Sequence, residues 1–371
     1  MPDVARVRDW INLAKSTFAA LKTSDIAGLY QHEWPQTRAM LIAEHHEEIE
    51  RDPKRIRRWV RSVSAILYGL AKRLAPHRRI LFVACWLYFF FCLFALVSHM
   101  RNPPLWTFIE ITATFLMLTF LLAMELIDKI RFRDELELAR DLQADLIPKQ
   151  MPVTADYEIA AYNEIANTVG GDIYDFVPLP DGRLAVLFGD ASGHGMAAGL
   201  VMAVAHAAFR TQLDVDHAPS GIVPALNRIL CRTGGPRSFF ACCYLLLEPG
   251  GDFVAVLAGH PPVIKVTADG KIAERIGRGA YPFGIKTGLA WEETHGHLER
   301  GERLLLHSDG LSEARNTNGR EFGDSYIDAI AGWSPRSSAA SLVETIVGEW
   351  RLFTGNKPPE DDVSIAVILK R

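Results

Sequence analysis

The chain has 371 residues, 49% of them apolar, and a mean hydropathy of +0.07. That length exceeds one typical domain, and the apolarity is high for a wholly soluble enzyme, which points to several units with membrane segments among them. A formal net charge of −4 gives no support for a nucleic-acid partner. The five cysteines (Cys85, Cys92, Cys231, Cys242, Cys243) show neither metal-ligand nor framework spacing and read as reduced, small apolar residues.

Residues 1–78 read as a cytoplasmic helical segment. Val4, Val7, Trp10, Ile11, Ala14, Phe18 and Leu21 recur at helical spacing, and Pro35 and Pro53 interrupt the later stretches. The run Lys54 to Ala75 is basic and amphipathic. It fits a helix lying on an anionic inner leaflet and equally a plain helical bundle. Glu44-His45-His46-Glu47-Glu48 reads as a solvated helix face before it reads as a metal site.

Residues 79–127 predict a transmembrane hairpin. Ile80 to Val97 carries no charge, and Leu105 to Ile127 keeps its two acids, Glu110 and Glu125, towards its ends. Each is long enough to cross a hydrocarbon core of about 30 Å. A buried soluble hairpin is the competing reading, but soluble helices seldom lack a polar face so completely. Basic residues crowd before the first span (Arg73, Arg78 and Arg79 nearest) and after the second (Lys129, Arg131, Arg133), while the Ser98–Pro104 loop offers only Arg101. This places both termini on the cytoplasmic side of the inner membrane. Residues 128–150 predict a charged linker helix with an apolar stripe at Leu138, Leu142, Leu146 and Ile147, ending at Pro148. It is a spacer, or a regulatory helix that pairs with its copy in a homodimer.

From residue 151 to 371 the pattern changes to many strands with few helices. Strands are predicted at Tyr157–Asn163, Ile173–Leu179, Leu184–Gly189, Phe239–Leu247, Phe253–Leu257, Val263–Thr267, Arg303–His307 and Val363–Leu369. Helices are predicted at Met196–Gln212, Ser220–Cys231, Ser325–Ala331 and Ser337–Phe353. The mixture fits an α+β domain with helices packed on sheets. Asp172 follows two glycines, Asp190 and Asp309 end apolar runs, and Asp361-Asp362 precede the last strand. Any one Asp-Gly pair is usually a turn. Several carboxylates delivered from separate strand ends suit hard divalent cations, which prefer oxygen ligands.

These motifs carry a family resemblance. Glu135 to Arg371 resembles the SpoIIE-like (RsbU-type) branch of the PPM metal-dependent serine/threonine protein phosphatases. The shared order is a helix motif (Ala139, Arg140, Gln143, Leu146, Pro148), then Gly170-Gly171-Asp172, Asp190-Ala191-Ser192-Gly193-His194-Gly195 and Ala258-Gly259-His260-Pro261-Pro262. Ser308-Asp309-Gly310-Leu311-Ser312-Glu313-Ala314-Arg315 and Asp361-Asp362-Val363-Ser364 complete it. The resemblance implies a central β-sandwich flanked by helices, two Mn²⁺ or Mg²⁺ ions, and hydrolysis by water that the ions activate. It implies Asp190 as bridging ligand with the Ala191 carbonyl, Asp309 and Asp361 on one metal, and Asp172 completing the pair; Asp175 and Asp362 are less certain neighbours. Ala191 stands where a β-branched residue is common, which a carbonyl contribution tolerates. His194 and His260 are candidate general acids, with helix-start or packing roles open to both. Arg315 orients the linker or phosphate, or makes a surface ion pair. The implied substrate is a protein phosphorylated on serine or threonine, of the STAS-type anti-anti-sigma class. Two other readings compete: a catalytically silent membrane adaptor that binds a phosphoprotein, and a metallophosphatase acting on a small molecule or lipid.

Overall fold

The computed structural model describes residues 55–74, 76–98, 105–235, 238–333 and 337–371. The expected helices of residues 1–54, the Glu44–Glu48 cluster and most of the Ser98–Pro104 loop lie outside the described residues. The chain divides at Ile130/Arg131 into two compact units.

The first unit carries α1 (Arg55–Arg73), α2 (Pro76–Ser98) and the start of α3 (Leu105–Ala144). Pro76 opens α2, where its missing N–H costs nothing. Arg79 then caps α1 from outside. Its Nε donates to the Ala71 carbonyl at 3.0 Å and its Nη2 to the Lys72 carbonyl at 2.9 Å. α2 and α3 are each long and apolar enough to cross a membrane. Phe91, Phe94, Phe115, Phe120 and Leu122 are exposed on them, so neither helix is the buried core of a soluble fold. Arg78 joins the two helices through Glu125 at 3.3 Å and Asp128 at 2.6 Å. α3 does not break between the expected span and the expected linker. No Gly or Pro interrupts it from Leu105 to Ala144, so nothing in its sequence stops propagation.

The second unit is a four-layer sandwich. One five-stranded sheet has the order β1-β10-β9-β6-β7, and the other β2-β3-β4-β5-β8; every pairing between these strands is antiparallel. The strands are β1 (Tyr157–Glu164), β2 (Ile173–Pro178), β3 (Leu184–Ala191), β4 (Phe240–Leu247), β5 (Asp252–Ala258), β6 (Val263–Val266), β7 (Ile272–Ile276), β8 (Thr294–His297), β9 (Arg303–His307) and β10 (Val363–Lys370). Between the sheets lie Tyr174, Phe176, Val186, Phe188, Leu245, Leu304, Leu306, Ala366 and Ile368, all buried. Alternate residues of the same strands turn outward. Ile173, Leu187 and Tyr244 meet α4 (Met196–Leu213) and α5 (Pro219–Thr233). Leu305, Ile365 and Val367 meet α7 (Asp324–Trp333) and α8 (Ala339–Thr354). A strand covered on both faces needs apolar side chains at every position, which explains the unbroken run Leu184–Phe188. A four-residue helix, α6 (Asp309–Ser312), follows β9 directly.

The strand and helix expectations hold to within a residue or two at most ends, and the sandwich flanked by helices is present. β7 and β8 add to the expected strands. They are short edge strands reading Ile-Ala-Glu-Arg-Ile and Thr-His-Gly-His, with too little apolar alternation to mark them. All five cysteines are free thiols, and four of them are buried.

Burial also fixes the charge state of one motif residue. His260 is 5% exposed, its Nδ1 lies 2.8 Å from the Pro261 carbonyl, and its ring stands edge-on to Phe188. Desolvation pushes its pKa down from 6.5 to about 4. The unfolded chain therefore takes up a proton near pH 6.5 that the folded chain refuses until near pH 4. Stability contributed by neutral His260 is complete above the unfolded value and is lost as pH falls through that window, by at most about 3 kcal/mol. Urea-unfolding midpoints from about pH 7.5 to about pH 4.5 should fall more steeply for the parent than for His260→Gln. Parallel profiles would contradict this origin.

Candidate metal centre

The acidic residues converge at one end of the sandwich because four chain segments end or turn there. Asp172 lies one residue before β2. Asp190 and Ala191 are the last two residues of β3, which runs two residues beyond its expected end at Gly189. Asp309 begins α6 immediately after β9, and Asp361 precedes β10. Asp172 is 1% exposed, Asp190 half-buried, and Asp309 and Asp361 face solvent.

Their charges are felt mutually. Burial first, and then Asp309, Asp361 and Asp362, push the Asp190 carboxyl up to about 8. Burial and the Asp190 charge raise Asp172 well above the ordinary carboxylate range, against the opposing hydroxyls of Ser364 and Ser308. Asp361 is raised by burial and by Asp309 and Asp362, while neighbouring His194 opposes the shift. A group of carboxylates that raise one another's pKa is the expected signature of a site built for cations. Among the described residues no three His, Cys, Asp or Glu side chains form a closed single-ion cage. Like charges without a counter-charge favour that looser spacing.

The donor set nevertheless fits hard divalent ions. Asp172 Oδ2 is buried without a hydrogen-bond partner, an arrangement that costs free energy unless a ligand satisfies it. Asp190 Oδ1 and the Ala191 carbonyl oxygen both crowd the Gly171 Cα. A methyl group there would sit 2.7 Å from each. Only glycine lets the Asp172 loop approach these oxygens so closely.

That loop is held from three directions. Asp362 Oδ1 accepts from the Ala166 N–H at 2.7 Å, and its Oδ2 from the Gly171 N–H at 2.6 Å. Gln143, from the end of α3, donates to the Gly170 carbonyl at 2.7 Å and accepts from the Gly170 N–H at 2.9 Å. Ser308 supports the opposite side, donating to the Asp362 carbonyl at 3.1 Å and accepting from the Ser364 N–H at 2.9 Å. Asp362 thus uses both oxygens on backbone amides. Sequence alone leaves its role open, because adjacent aspartates look alike until their partners are known.

Asp175 does not join the cluster. It is fully buried on the opposite face of β2. Its carboxylate takes the Arg210 Nε at 2.5 Å and Nη2 at 2.8 Å, with His206 Nε2 at 2.8 Å. Neither His206 nor Arg210 stands out in the sequence, though they are the only charged or imidazole side chains on the otherwise apolar α4. His260 lines a cavity beside Asp309, but a neutral ring whose Nδ1 faces a carbonyl has no proton to give near neutral pH. This argues against His260 as the general acid. His194 is exposed near Asp361. Arg315 makes the surface ion pair of the two readings offered for it, 2.7 Å from Glu321.

The geometry predicts two outcomes. At about pH 8.5, where Asp190 is ionised amid like charge, Asp190→Asn should stabilise the metal-free chain by about 1–3 kcal/mol and abolish Mn²⁺-induced stabilisation. Denaturant unfolding with and without Mn²⁺ reads both; a variant less stable than the parent refutes the repulsion. Gly171→Ala should weaken Mn²⁺ binding by about tenfold or more, measured by calorimetry; unchanged affinity would show that the close approach is dispensable.

Residues 180–370 match the family model for stage II sporulation protein E (SpoIIE). The chain is 25% identical over 188 residues to phosphoserine phosphatase RsbU of Bacillus subtilis (strain 168), covering 50% of this chain and 56% of that protein. It is 24% identical over 224 residues to phosphoserine phosphatase RsbP of the same organism, covering 59% of this chain and 53% of that protein. The chain thus spans about half the length of these relatives. Among solved structures, the SiaA-PP2C domain of Pseudomonas aeruginosa superposes with a TM-score of 0.58 at 18% identity, over 66% of this chain and 98% of that one. The PP2C phosphatase domain of SpoIIE from Bacillus subtilis, with a fragment of its regulatory domain, gives 0.52 at 16% identity, over 59% and 64%. At such identities these two establish the fold alone.

Proposed function

Because the chain belongs to the SpoIIE family, we propose that it is a metal-dependent protein serine/threonine phosphatase tethered to the inner membrane. The observation that carries this reading is the cluster of Asp172, Asp190, Asp309 and Asp361: Asp172 Oδ2 is buried without a partner close to Asp190, and the charges of Asp309 and Asp361 raise the Asp190 carboxyl. In this reading Asp190, the Ala191 carbonyl, Asp309 and Asp361 hold two Mn²⁺ or Mg²⁺ ions, and Asp172 completes the pair. When bound, such ions supply Lewis acidity, a water of lowered pKa and charge to offset the phosphoryl oxygens.

The chain's own residues do the remaining work. Asp362, Gln143 and Gly171 keep the Asp172 loop against Asp190. Asp309 and Asp361 present their carboxylates at the surface, where the cavities beside them, about 260 Å³ at Asp361 and about 840 Å³ at Asp309, open to solvent. An exposed centre suits a phosphorylated side chain carried on a protein, whereas a small molecule or lipid generally needs an enclosing pocket. We assign a STAS-type anti-anti-sigma protein as the substrate, as the family resemblance of the motifs implies; the RsbU and RsbP relatives are phosphoserine phosphatases by name. Leu138 and Leu142, exposed on α3, fit pairing with a second copy. The two apolar helices, with basic residues before α2 and after its partner span, fit a hairpin whose termini both face the cytoplasm.

The test is phosphate release by the purified chain with Mn²⁺, first from p-nitrophenyl phosphate and then from a serine-phosphorylated STAS protein. Asp190→Ala and Asp309→Ala should each lower turnover by at least about a hundredfold, the scale of losing a principal electrostatic group. Turnover that persists in both variants rejects the assigned centre. Hydrolysis of the aryl phosphate but of no phosphoprotein rejects the substrate class.

A further inference from the structure

α4 starts beside the metal centre and packs across β3 and β4, with the Asp175 side chain of β2 reaching its far half. It begins at Met196, five positions after Ala191, through Gly195 at φ +69. One stripe of α4, Gly199-Met202-His206-Arg210, recurs at spacings of three and four, so it forms a single line along the helix. At its near end a side chain on Gly199 would collide with Val169, next to the Gly170-Gly171-Asp172 loop. At its far end His206 and Arg210 grip the buried Asp175 carboxylate, with Arg210 binding both oxygens. Asp175 lies three residues beyond Asp172, and strand alternation turns the two to opposite sides of β2.

We propose that Asp175, His206 and Arg210 form a positioning lock that sets the register of α4 against the β2-β3-β4 sheet and so steadies the end of the β2–β3 ladder, where Ile173 pairs with Gly189, that sets Asp172 against Asp190. The proposal rests on the metal-centre reading above. Three features carry it. The lock joins the two segments that deliver Asp172 and Asp190, because β2 follows the first and α4 follows the second. Its geometry is directional: a planar guanidinium forked onto a carboxylate fixes orientation as well as distance. Sliding α4 by one turn would move it about 5.4 Å, breaking both Arg210 contacts and driving Gly199 away from Val169 together. An apolar contact between Met202 and the sheet supplies no such register, since dispersion is not directional.

Removing Arg210 leaves the fully buried Asp175 carboxylate with His206 alone, which costs stability, whereas Asp175→Asn removes the buried charge and leaves Arg210, 49% exposed, within reach of water. The experiment therefore compares Arg210→Gln, Arg210→Lys and His206→Gln with Asp175→Asn in the full chain. It reads Mn²⁺ affinity by calorimetry, thermal unfolding without metal, and amide hydrogen exchange across residues 169–173. The lock predicts roughly tenfold weaker Mn²⁺ binding for Arg210→Gln and faster exchange at residues 170–172. Metal-free unfolding measures the stability cost of each variant; the loss of Mn²⁺ affinity in folded Arg210→Gln should exceed what that cost accounts for, and Arg210→Lys should fall between Gln and Arg. Mn²⁺ affinity within about twofold of the parent in folded Arg210→Gln and His206→Gln overturns the lock while leaving the metal centre intact. Affinity that falls only in proportion to lost stability overturns it equally, as the mark of a general structural contact. A parent chain whose Mn²⁺ binding is absent, or survives Asp190→Ala, removes the metal-centre reading and the lock with it.

Discussion

Carboxylates gathered into a partly buried site repel one another, and where the surrounding fold does not let them move apart, protonation or a bound cation must relieve them. Asp172, Asp190 and Asp361 are in this position: burial withdraws water from them, and neighbouring charges, that of Asp309 among them, raise the cost of ionising them. Folding of the catalytic unit must therefore overcome a local penalty at the very place where its chemistry resides. The free energy comes from elsewhere, from three apolar layers that bury both faces of both sheets. In the proposed reading, a site that is unfavourable to form without cations gains differential affinity for them.

The sandwich does more than supply stability. Its strands fix where each carboxylate stands, since β3, β9 and β10 are mutually braced by ladders and by the inter-sheet core before any loop begins. Loops then need to be pinned only over short distances. Asp362 and Gln143 accomplish this for the Asp172 loop by bonding backbone amides and carbonyls, groups that cannot rotate away as side chains can. Glycine at position 171 lets two chains come closer than any side chain permits. α4 lies across the back of the same region and is anchored to β2 by a forked ion pair. Substitutions well outside the acidic cluster can therefore disturb it through the backbone.

The N-terminal unit obeys a different solvent logic. Aromatic and aliphatic side chains that would be costly in water stand exposed around α2 and α3, and the polar contacts between these helices are few and placed near their ends. Arg78 meets two carboxylates at one end. Cys92 lies 3.7 Å from Glu110 nearer the other. Among the described residues this distribution suits the membrane hairpin proposed above.

Much of this is legible in the chain itself. Covalent order and local chemistry determine which segments are apolar enough for both faces of a strand to be buried, where glycine interrupts them, and which strand ends carry an aspartate. For that reason eight of the ten strands can be read from the sequence. Edge strands β7 and β8 cannot, because a half-exposed strand of mixed polarity resembles a loop. What only the tertiary structure decided is which aspartate faces which partner. Asp172 and Asp175 differ by three positions and lie on opposite faces of β2, one toward the acidic cluster and one toward His206 and Arg210. Asp361 and Asp362 are adjacent, yet one points to solvent while the other holds an amide 191 positions away. His260 looks like an acid catalyst in the sequence and is neutral in the fold. Partner identity and solvent exclusion arise from contacts between distant segments, so no window along the chain contains them.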